Sequence, residues 1–389
     1  MTVPITPAQR QQHLAWLLEI TDIPTASGRE HRVIEWIERW AAARPQLKLD
    51  KDPSGNLVIS HRTKPQPERP LWLTAHLDHP AFVVERVVAP SVVELSFRGG
   101  VMDDYFTDAR VVLASRDGQR HKARITGATG QTEPFKFWTA ELQGRADLTV
   151  GDVGVWDVGP AELIDGLVHT QACDDMAAAA AALAALDVSL DDPASNPTLL
   201  FTRAEEIGFI GAIAAVRHGT IPRNARVIAL ENSRSFPESP IGGGPIVRVG
   251  DRISVFSPTL TDAIAKRAEE IAGGSQPTAS QKLADAPAWK WQRKLMAGGA
   301  CEASVFFHAG LESTCVCLPL GNYHNMADLT AVQAGTNTSP PKVAREFIAL
   351  SDFENLVDLL AACAQRLPEK GGMAERLEKL WRERSFVLE

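Results

Sequence analysis

Side chains of the types that can bind zinc follow apolar runs of strand length at widely separated points of the chain. The residues of this kind are His76, Asp174, Glu206, Glu231 and His324. In open α/β sheets the carboxyl ends of parallel strands face one crevice, so that residues distant in sequence meet there. The pattern therefore predicts an α/β sheet with a metal site at one edge. Two histidines and three carboxylates suit a pair of divalent cations.

Segments with helical and strand periodicity alternate along the chain, which independently indicates the same fold class. Helices are expected over 13–20, 31–43, from 176 onward, 207–218, 257–273 and 344–367. Strands are expected over 52–61, 69–78, 198–203, 225–230 and 313–320. We predict an α/β protein, a three-layer sandwich around a mainly parallel (mixed) sheet.

The character of the sequence changes between about residues 84 and 166, where short β-rich pieces are separated by glycine and aspartate turns. This region is predicted to be a small β-barrel inserted into the catalytic domain. The chain has 389 residues, which is more than one typical core absorbs. The predicted division gives 1–84 and 167–389 to the two parts of the catalytic domain and 85–166 to the inserted barrel.

The composition excludes several classes of partner. The 40 Lys and Arg residues against 48 Asp and Glu give a formal net charge of −8, which argues against nucleic acid or an anionic membrane as the main partner. The five cysteines do not form a secreted disulfide pattern, and the start of the chain carries no apolar signal core. No stretch is long enough for a membrane-spanning helix. We therefore expect a cytoplasmic protein acting on peptides or small molecules.

Each candidate ligand has an ordinary structural explanation when it is taken alone. A histidine near a core strand is more often a satisfied buried residue than a ligand. Asp174-Asp175 would cap the alanine-rich helix that follows, and Glu205-Glu206 would begin a solvated helix. Adjacent carboxylates at the end of an apolar strand are, however, costly to bury unless cations or protons compensate them. Because all five candidates occupy matching positions, we favour the metal interpretation.

Several motifs make the chain resemble the dinuclear-zinc aminopeptidases of the tetrahedral (TET) and glutamyl aminopeptidase type, in the clan shared with zinc carboxypeptidases and deacylases. These motifs are Gly55-Asn56-Leu57, Asp174-Asp175, Glu205-Glu206, Gly242 to Pro245, Gly298-Gly299 and Pro319 to His324. The resemblance implies that His76 and Glu231 hold one metal and that Glu206 and His324 hold the other. It also implies that Asp174 bridges both metals. It further implies that Glu205 is the catalytic base and that Asp78 orients His76.

The resemblance implies a metal-dependent aminopeptidase that removes N-terminal residues from peptides. Two divalent ions per subunit, zinc or alternatively cobalt or manganese, would activate a water whose proton Glu205 takes and returns to the leaving amine. The inserted barrel is the usual assembly surface in the resembling family. A homo-oligomer is therefore expected, and a tetrahedral dodecamer is the assembly that the family suggests.

The sequence departs from the family pattern near the substrate pocket. Met176 stands where the family usually has arginine, Cys301-Glu302 where it often has Thr-Asp, and Gly321 where a basic residue is usual. These changes leave the metal ligands intact and affect the substrate pocket instead. Glu302 is predicted to belong to that pocket.

Aromatic and sulfur side chains have less specific interpretations. Trp289 and Trp291 are expected either to line the specificity pocket or to pack a loop. Cys315 and Cys317 share one face of a predicted strand and are interpreted as buried apolar residues. Cys173 lies beside Asp174, and packing is favoured over reactivity.

Two other functions stay open on the sequence. A zinc carboxypeptidase or amide deacylase of the same clan would turn over N-acylated substrates without requiring a free amino terminus. A non-catalytic relative would keep the fold for assembly or binding. The second is disfavoured, because Glu205 and all five predicted ligands are present.

Overall fold

Helices and strands alternate in the computed structural model, which describes residues 4–274, 288–369 and 371–388. The α-helices in these residues are α1 (Pro7–Thr21), α2 (His31–Ala42), α3 (Met176–Ser189), α4 (Ile210–His218), α5 (Pro258–Ala272), α6 (Glu302–His308), α7 (Leu329–Ala334), α8 (Leu350–Gln365) and α9 (Met373–Arg384). The strands are β1 (Leu47–Lys51), β2 (Leu57–His61), β3 (Leu71–His76), β4 (Ala81–Ala89), β5 (Val92–Arg98), β6 (Arg110–Ala114), β7 (Arg120–Ala128), β8 (Lys136–Leu142), β9 (Val153–Trp156), β10 (Glu162–Ile164), β11 (Leu167–Thr170), β12 (Thr198–Thr202), β13 (Arg226–Arg234), β14 (Ile246–Gly250), β15 (Gln292–Leu295), β16 (Glu312–Leu320) and β17 (Glu346–Ala349).

Eight strands form the central sheet in the order β1-β2-β12-β3-β13-β16-β14-β15. The four middle strands, β12, β3, β13 and β16, are parallel to one another. On either side, β2 and β14 pair antiparallel with this group. Strand β3 is buried along its whole length, as expected for a parallel strand covered on both faces. The predicted mainly parallel, mixed sheet is confirmed.

Helices cover both faces of the sheet and complete a three-layer sandwich. Helices α1, α3, α5 and α8 pack together over one face, and α4 and α6 over the other. Helix α3 is buried from Met176 to Leu186, because its alanine side chains are small enough to fit against the sheet and two neighbouring helices. In the described part of the chain, no helix combines the length and the apolar character needed to cross a bilayer.

A closed barrel of six antiparallel strands, in the order β4-β5-β8-β7-β6-β9, lies between Ala81 and Trp156. Its interior is aromatic, and the rings of Phe106 and Trp138 stack with centroids 4.2 Å apart. The predicted inserted barrel is therefore confirmed. The predicted domain limits at residues 85 and 166 remain predictions.

A small sheet of order β10-β11-β17 lies beside the edge of the central sheet where the candidate residues gather. Strand β11 leads into the turn that carries Asp174, and β17 pairs with β11 in antiparallel fashion. Strand β17 begins with Glu346, so this sheet brings a buried carboxylate from late in the chain to the same place.

Candidate metal centre

The five predicted metal ligands converge at the carboxyl ends of the middle parallel strands. His76 is the last residue of β3, Glu206 follows β12, and His324 lies in a short 3-10 turn after β16. Asp174 lies in the turn between β11 and α3. Glu231 differs from the prediction, because it lies within β13, which continues beyond it.

The two imidazole rings flank the carboxylate of Asp174. His76 Nε2 lies 3.3 Å from Asp174 Oδ1, and His324 Nε2 lies 3.4 Å from Asp174 Oδ2. Glu231 Oε1 is 3.8 Å from His76 Nε2, and Glu206 Oε1 is 3.4 Å from His324 Nε2. Asp174 therefore lies between the two histidines, with Glu231 at 3.8 Å and Glu205 at 3.9 Å beside His76 and with Glu206 at 3.4 Å beside His324.

Several of these ligand atoms are buried without a hydrogen-bond partner, although buried polar atoms are normally paired. They are Asp174 Oδ1, Glu206 Oε1 and His324 Nε2. Groups of three histidine or carboxylate ligand atoms lie within 4.8 Å of one another in this site. Imidazole and carboxylate are the ligands that zinc, cobalt and manganese accept in proteins. The residues present therefore fit divalent cations.

Burial destabilises the charged form of the carboxylates in the site. It raises the pKa of Glu205 and of Glu231 well above the usual range of a glutamate. Burial also acts to raise the pKa of Asp174, but close contact with the imidazoles of His324 and His76 and their charge outweigh it and lower that pKa. A bound cation compensates such charge as a proton does, so the electrostatics agree with the fit of the ligands.

Asp78 connects one metal ligand to the turn that carries the glutamate pair. His76 Nδ1 is 3.0 Å from the backbone oxygen of Asp78 and 3.5 Å from its Oδ1. The Asp78 carboxylate accepts hydrogen bonds from the backbone N–H groups of Glu205 at 2.9 Å and Glu206 at 3.1 Å, and from Ser27 Oγ at 2.5 Å. This buried carboxylate therefore fixes the position of the turn relative to β3.

Glu205 lies beside the predicted ligands and clusters with His76 and Glu231. Its Oε2 is 3.9 Å from His76 Nε2, and its side chain reaches the wall of the cavity beside the ligands. The preceding residue, Ala204, has a φ of 54°, in the left-handed region that residues other than glycine rarely adopt. The Ala204 N–H donates to Glu30 Oε1 at 3.0 Å, and Glu30 pairs with Arg203 at 2.7 Å. These contacts hold the turn in a conformation that it would otherwise avoid.

Two residues that support the ligands were missed in the sequence. His79 Nδ1 lies 2.5 Å from the backbone oxygen of Asp174, and its Nε2 lies 3.0 Å from Asn325 Oδ1. Glu346 accepts hydrogen bonds from the backbone N–H groups of Asp174 at 3.1 Å and His324 at 2.8 Å. His79 belongs to the string HLDHP, where a second histidine is a visible signal. Glu346 has no local signal, because only the pairing of β17 with β11 brings it to the site.

The segment that follows the second barrel strand also contacts the centre. His324 Nδ1 lies 2.7 Å from the backbone oxygen of Gly100, and the ring of Tyr323 stacks on His324 with centroids 3.7 Å apart. The Tyr105 hydroxyl donates to the backbone oxygen of Ala327 at 2.6 Å. The barrel side of the molecule therefore orients one of the two histidines.

A cavity of about 160 Å³ opens beside the ligands, and its walls differ in chemistry. Carboxylates line part of it, and Phe236, Met296 and Arg248 line it as well. Arg248 is 2% exposed, its Nη1 donates to Ser233 Oγ at 3.1 Å, and its Nε has no hydrogen-bond partner. No carboxylate of the described residues forms an ion pair with it. Among the described residues this buried guanidinium therefore has no carboxylate in direct contact, although the charge of Glu231 acts on it from a greater distance.

Some pocket predictions do not agree with the structure. Glu302 does not line the cavity; it is the first residue of α6, and burial raises its pKa to about 7. Trp291 is buried in the main apolar core, and Trp289 packs against that core, so the packing interpretation applies to both. Cys173 is fully buried, and burial raises the pKa of its thiol well above 9.0. Its interpretation as a packing residue is therefore confirmed.

Comparisons with solved structures show where this fold occurs. The chain is 19% identical to the TET1 peptidase of Pyrococcus horikoshii, which can assemble into a tetrahedron or a large octahedral shell, with a TM-score of 0.70 over 91% of this chain and 100% of that chain. An aminopeptidase from the archaeon Desulfurococcus kamchatkensis gives 18% identity and a TM-score of 0.70, over 92% and 96% of the two chains. An M18-family aminopeptidase from Thermotoga maritima is 14% identical and gives a TM-score of 0.60, over 94% of this chain and 100% of that chain. At these identities the likeness shows the fold alone.

The sequence itself matches a known family. A comparison with curated proteins gives no significant match. The sequence model of the M42 glutamyl aminopeptidase family, by contrast, matches residues 55–339, which is well over half of the chain and includes all five predicted ligands. Peptidases of this family use divalent metal ions, in agreement with the histidine and carboxylate cluster at the strand ends. The chain therefore belongs to the M42 glutamyl aminopeptidase family and is a metal-dependent aminopeptidase.

Proposed function

We propose that the chain removes the N-terminal residue of peptides at a centre of two divalent cations, zinc or alternatively cobalt or manganese. His76 and Glu231 would hold one cation, Glu206 and His324 the other, and Asp174 both. The observation that carries this proposal is the position of the Asp174 carboxylate, with one histidine at each of its oxygens and glutamate side chains beside both histidines. A bridging carboxylate between two such sets of ligands is what a two-cation site requires.

The residues of the chain divide the chemistry between them. Bound divalent cations at this site supply a water of lowered pKa and polarise a carbonyl oxygen. Glu205 lies next to the predicted ligands and borders the cavity, and the family resemblance gives it the role of base. Its carboxylate would take a proton from the attacking water and return it to the leaving amine. Asp78 acts as a positioning residue, because it holds both His76 and the turn that carries Glu205.

The wall of carboxylates supports an exopeptidase that acts on free amino termini. Asp174, Glu205, Glu206 and Glu231 all border the cavity, so a protonated α-amino group finds several negative charges there. An acetylated terminus carries no charge and gains none of this attraction. The test is hydrolysis of matched peptides, free and N-acetylated, by the metal-loaded protein. Cleavage of the free peptides alone supports the proposal, and efficient cleavage of the acetylated set would move the protein to the deacylase or carboxypeptidase class.

Arg248 supports a preference for acidic N-terminal residues. Its buried guanidinium borders the same cavity as the carboxylates and forms no ion pair with a carboxylate in the described part of the chain. A substrate with an acidic first residue would place its α-amino group near the carboxylates and its side chain at the arginine. A buried hydrogen bond between charged groups contributes about 1.5–3 kcal/mol, which corresponds to about a tenfold to hundredfold preference.

The preference is tested with peptides that begin with glutamate or with the isosteric glutamine. Arg248→Met should lower kcat/KM for the glutamyl peptide by about tenfold to a hundredfold and change the glutaminyl peptide little. Arg234→Met is the matched control, because Arg234 borders the same cavity but is hydrogen-bonded to Gln333 and Thr330. An equal loss on both peptides with loss of bound metal would instead assign Arg248 to the support of Glu231.

Assembly into a homo-oligomer is also proposed. The similar TET1 peptidase of Pyrococcus horikoshii assembles into closed shells, and the chain covers 100% of it. The chain shares its barrel-bearing fold, which supports a comparable assembly, with a dodecamer as the form to look for. Light scattering at micromolar concentration tests this, and a monomer alone would contradict it.

A cytoplasmic location is proposed on the state of the cysteines. All five are buried with free thiols, which suits a reducing compartment. Cell fractionation with antibody detection tests this directly, and recovery from an oxidising compartment would contradict it.

A further inference from the structure

Helix α9 exposes an apolar face that the described residues leave uncovered. Side chains three and four residues apart form this face and are 37% to 61% exposed: Met373, Leu377, Leu380 and Trp381. The hydrogen bonds and ion pairs between α9 and the rest of the described chain lie at its first turn, where the Met373 N–H donates to Asp262 and Glu375 pairs with Lys266. Beyond that turn the helix extends away with both its apolar and its charged side chains exposed.

Such a helix requires a partner surface. It has 12 residues, a length at which an isolated helix is only marginally stable in water. In proteins, an amphipathic helix gains most of its stability by burying its apolar face. Four large apolar side chains in one stripe also form an exposed patch of the kind that marks interaction sites.

The charges beside the apolar face indicate which partner fits. At 100° per residue, Arg376 and Glu383 lie on the same flank of the face. When two copies of a helix pack antiparallel about a two-fold axis, each flank faces the same flank of the other copy, with residues equally distant from the axis opposite each other. Arg376 and Glu383 are equally distant from the bond between Lys379 and Leu380. Each arginine therefore lies opposite a glutamate of the other copy.

On the opposite flank, oppositely charged residues are also nearly, but not equally, distant from the two-fold axis. Glu378 and Arg382 are equally distant from Leu380 and not from the bond between Lys379 and Leu380, so they come near each other but not directly opposite, and Arg382 lies toward the back of the helix. Within one copy, Glu378 lies 3.7 Å from Arg382 and Glu383 lies 3.7 Å from Lys379, both as exposed pairs that contribute little. The helix is thus complementary in charge to itself when it is reversed.

We propose that α9 is an assembly element that packs antiparallel on α9 of a second copy of this chain. Leu377, Leu380 and Trp381 form the centre of the contact, and the pairs of Arg376 with the partner's Glu383 close it on one side. The exposed Phe386 extends the apolar surface toward the other end of the partner helix. The contact is independent of the metal centre.

The charge pairs give a test that only contact between copies can pass. Arg376→Glu and Glu383→Arg are made separately in the full chain, and association is followed by sedimentation velocity over a concentration series. Each variant alone sets like charges opposite each other and should weaken association about tenfold. An equimolar mixture of the two should recover wild-type association, because each flank of one variant then meets the opposite charge on the other.

The double variant Arg376→Glu/Glu383→Arg should also recover association, and Leu380→Glu should weaken it without recovery in any mixture. Hydrolysis of a reporter peptide serves as the folding control, because α9 lies outside the cavity wall. If the mixture associated no more tightly than either single variant does alone, the proposal would be overturned. Association unchanged by Leu380→Glu would overturn it as well, and would assign the apolar face to a different partner.

Discussion

Replacing Asp78 tests how the site is held together. The carboxylate is fully buried and accepts three hydrogen bonds, two from the backbone of the Glu205–Glu206 turn and one from Ser27. Asp78→Ala removes all three acceptors and leaves two backbone N–H groups buried without a partner. Asp78→Asn retains one acceptor oxygen but presents an amide donor to the remaining N–H.

The expected loss of stability follows from these counts. A buried donor left without a partner costs about 1–3 kcal/mol, so Asp78→Ala should lower the free energy of unfolding by about 2–6 kcal/mol. Asp78→Asn should cost about half as much, since one N–H keeps its acceptor. Ser27→Ala removes a single donor and leaves both N–H groups paired, so this matched control should cost only about 1 kcal/mol.

The assay is urea unfolding of the metal-free proteins, because a bound cation would add its own stabilisation. The order of unfolding free energies should be wild type, Ser27→Ala, Asp78→Asn and Asp78→Ala, from highest to lowest. Metal-loaded Asp78→Asn should also lose turnover, as the turn that carries Glu205 shifts. If Asp78→Ala were no less stable than Ser27→Ala, the Asp78 carboxylate would not hold the turn.

Three further changes test other parts of the structure. His79→Phe removes a ring that contacts the backbone of Asp174, the proposed bridging residue, and should weaken metal binding about tenfold to a hundredfold by calorimetric titration. Unchanged affinity would assign the ring to packing. Gly211→Ala places a methyl group 2.4 Å from backbone atoms of the turn after β12, so its melting temperature and turnover should both fall, whereas Gly144→Ala, with open space around it, should change neither. Burial lowers the pKa of His13 to about 4, so stability should fall by about 1–3 kcal/mol as pH decreases from about 6.5 to about 4. His13→Gln should remove most of this pH-dependent loss of stability, whereas His308→Gln, at an exposed position, should leave it unchanged. If His13→Gln lost as much stability between these pH values as the wild type, His13 would not be its source.

The central strands could be predicted because their apolar runs are continuous. Strands β3, β12, β13 and β16 are covered on both faces, so each contains a run of consecutive buried apolar residues, such as Val227 to Leu230 in β13. Strand β15 was missed because its sequence, QRKL, is that of a charged strand at the edge of a sheet. The prediction of helix throughout 344–367 was wrong at its start, where four residues form β17 before α8 begins. Their pairing with β11 is a long-range contact that local periodicity does not reveal.

Some residues of the candidate site could likewise be predicted from the sequence, and others could not. Residues such as His76 and Glu206 could be found because each has the right chemistry at the end of a recognisable strand. Glu346 and Arg248 could not, since each matters only through contacts made across the fold. Glu302 was assigned to the pocket from its position in the family pattern, whereas it is the first residue of α6 and is buried outside the cavity lining.

Metal content and turnover measured on the same preparations test the proposed centre most directly. The wild type and Glu205→Gln are loaded with zinc, freed of excess metal, and assayed for bound metal and for hydrolysis of a peptide with a free amino terminus. Both proteins should hold two cations per chain, and the variant should lose turnover by about a hundredfold to ten-thousandfold, as expected for removal of a general base. A variant that keeps turnover within tenfold of the wild type, or an active wild type with fewer than two cations, would contradict the two-cation centre with Glu205 as its base.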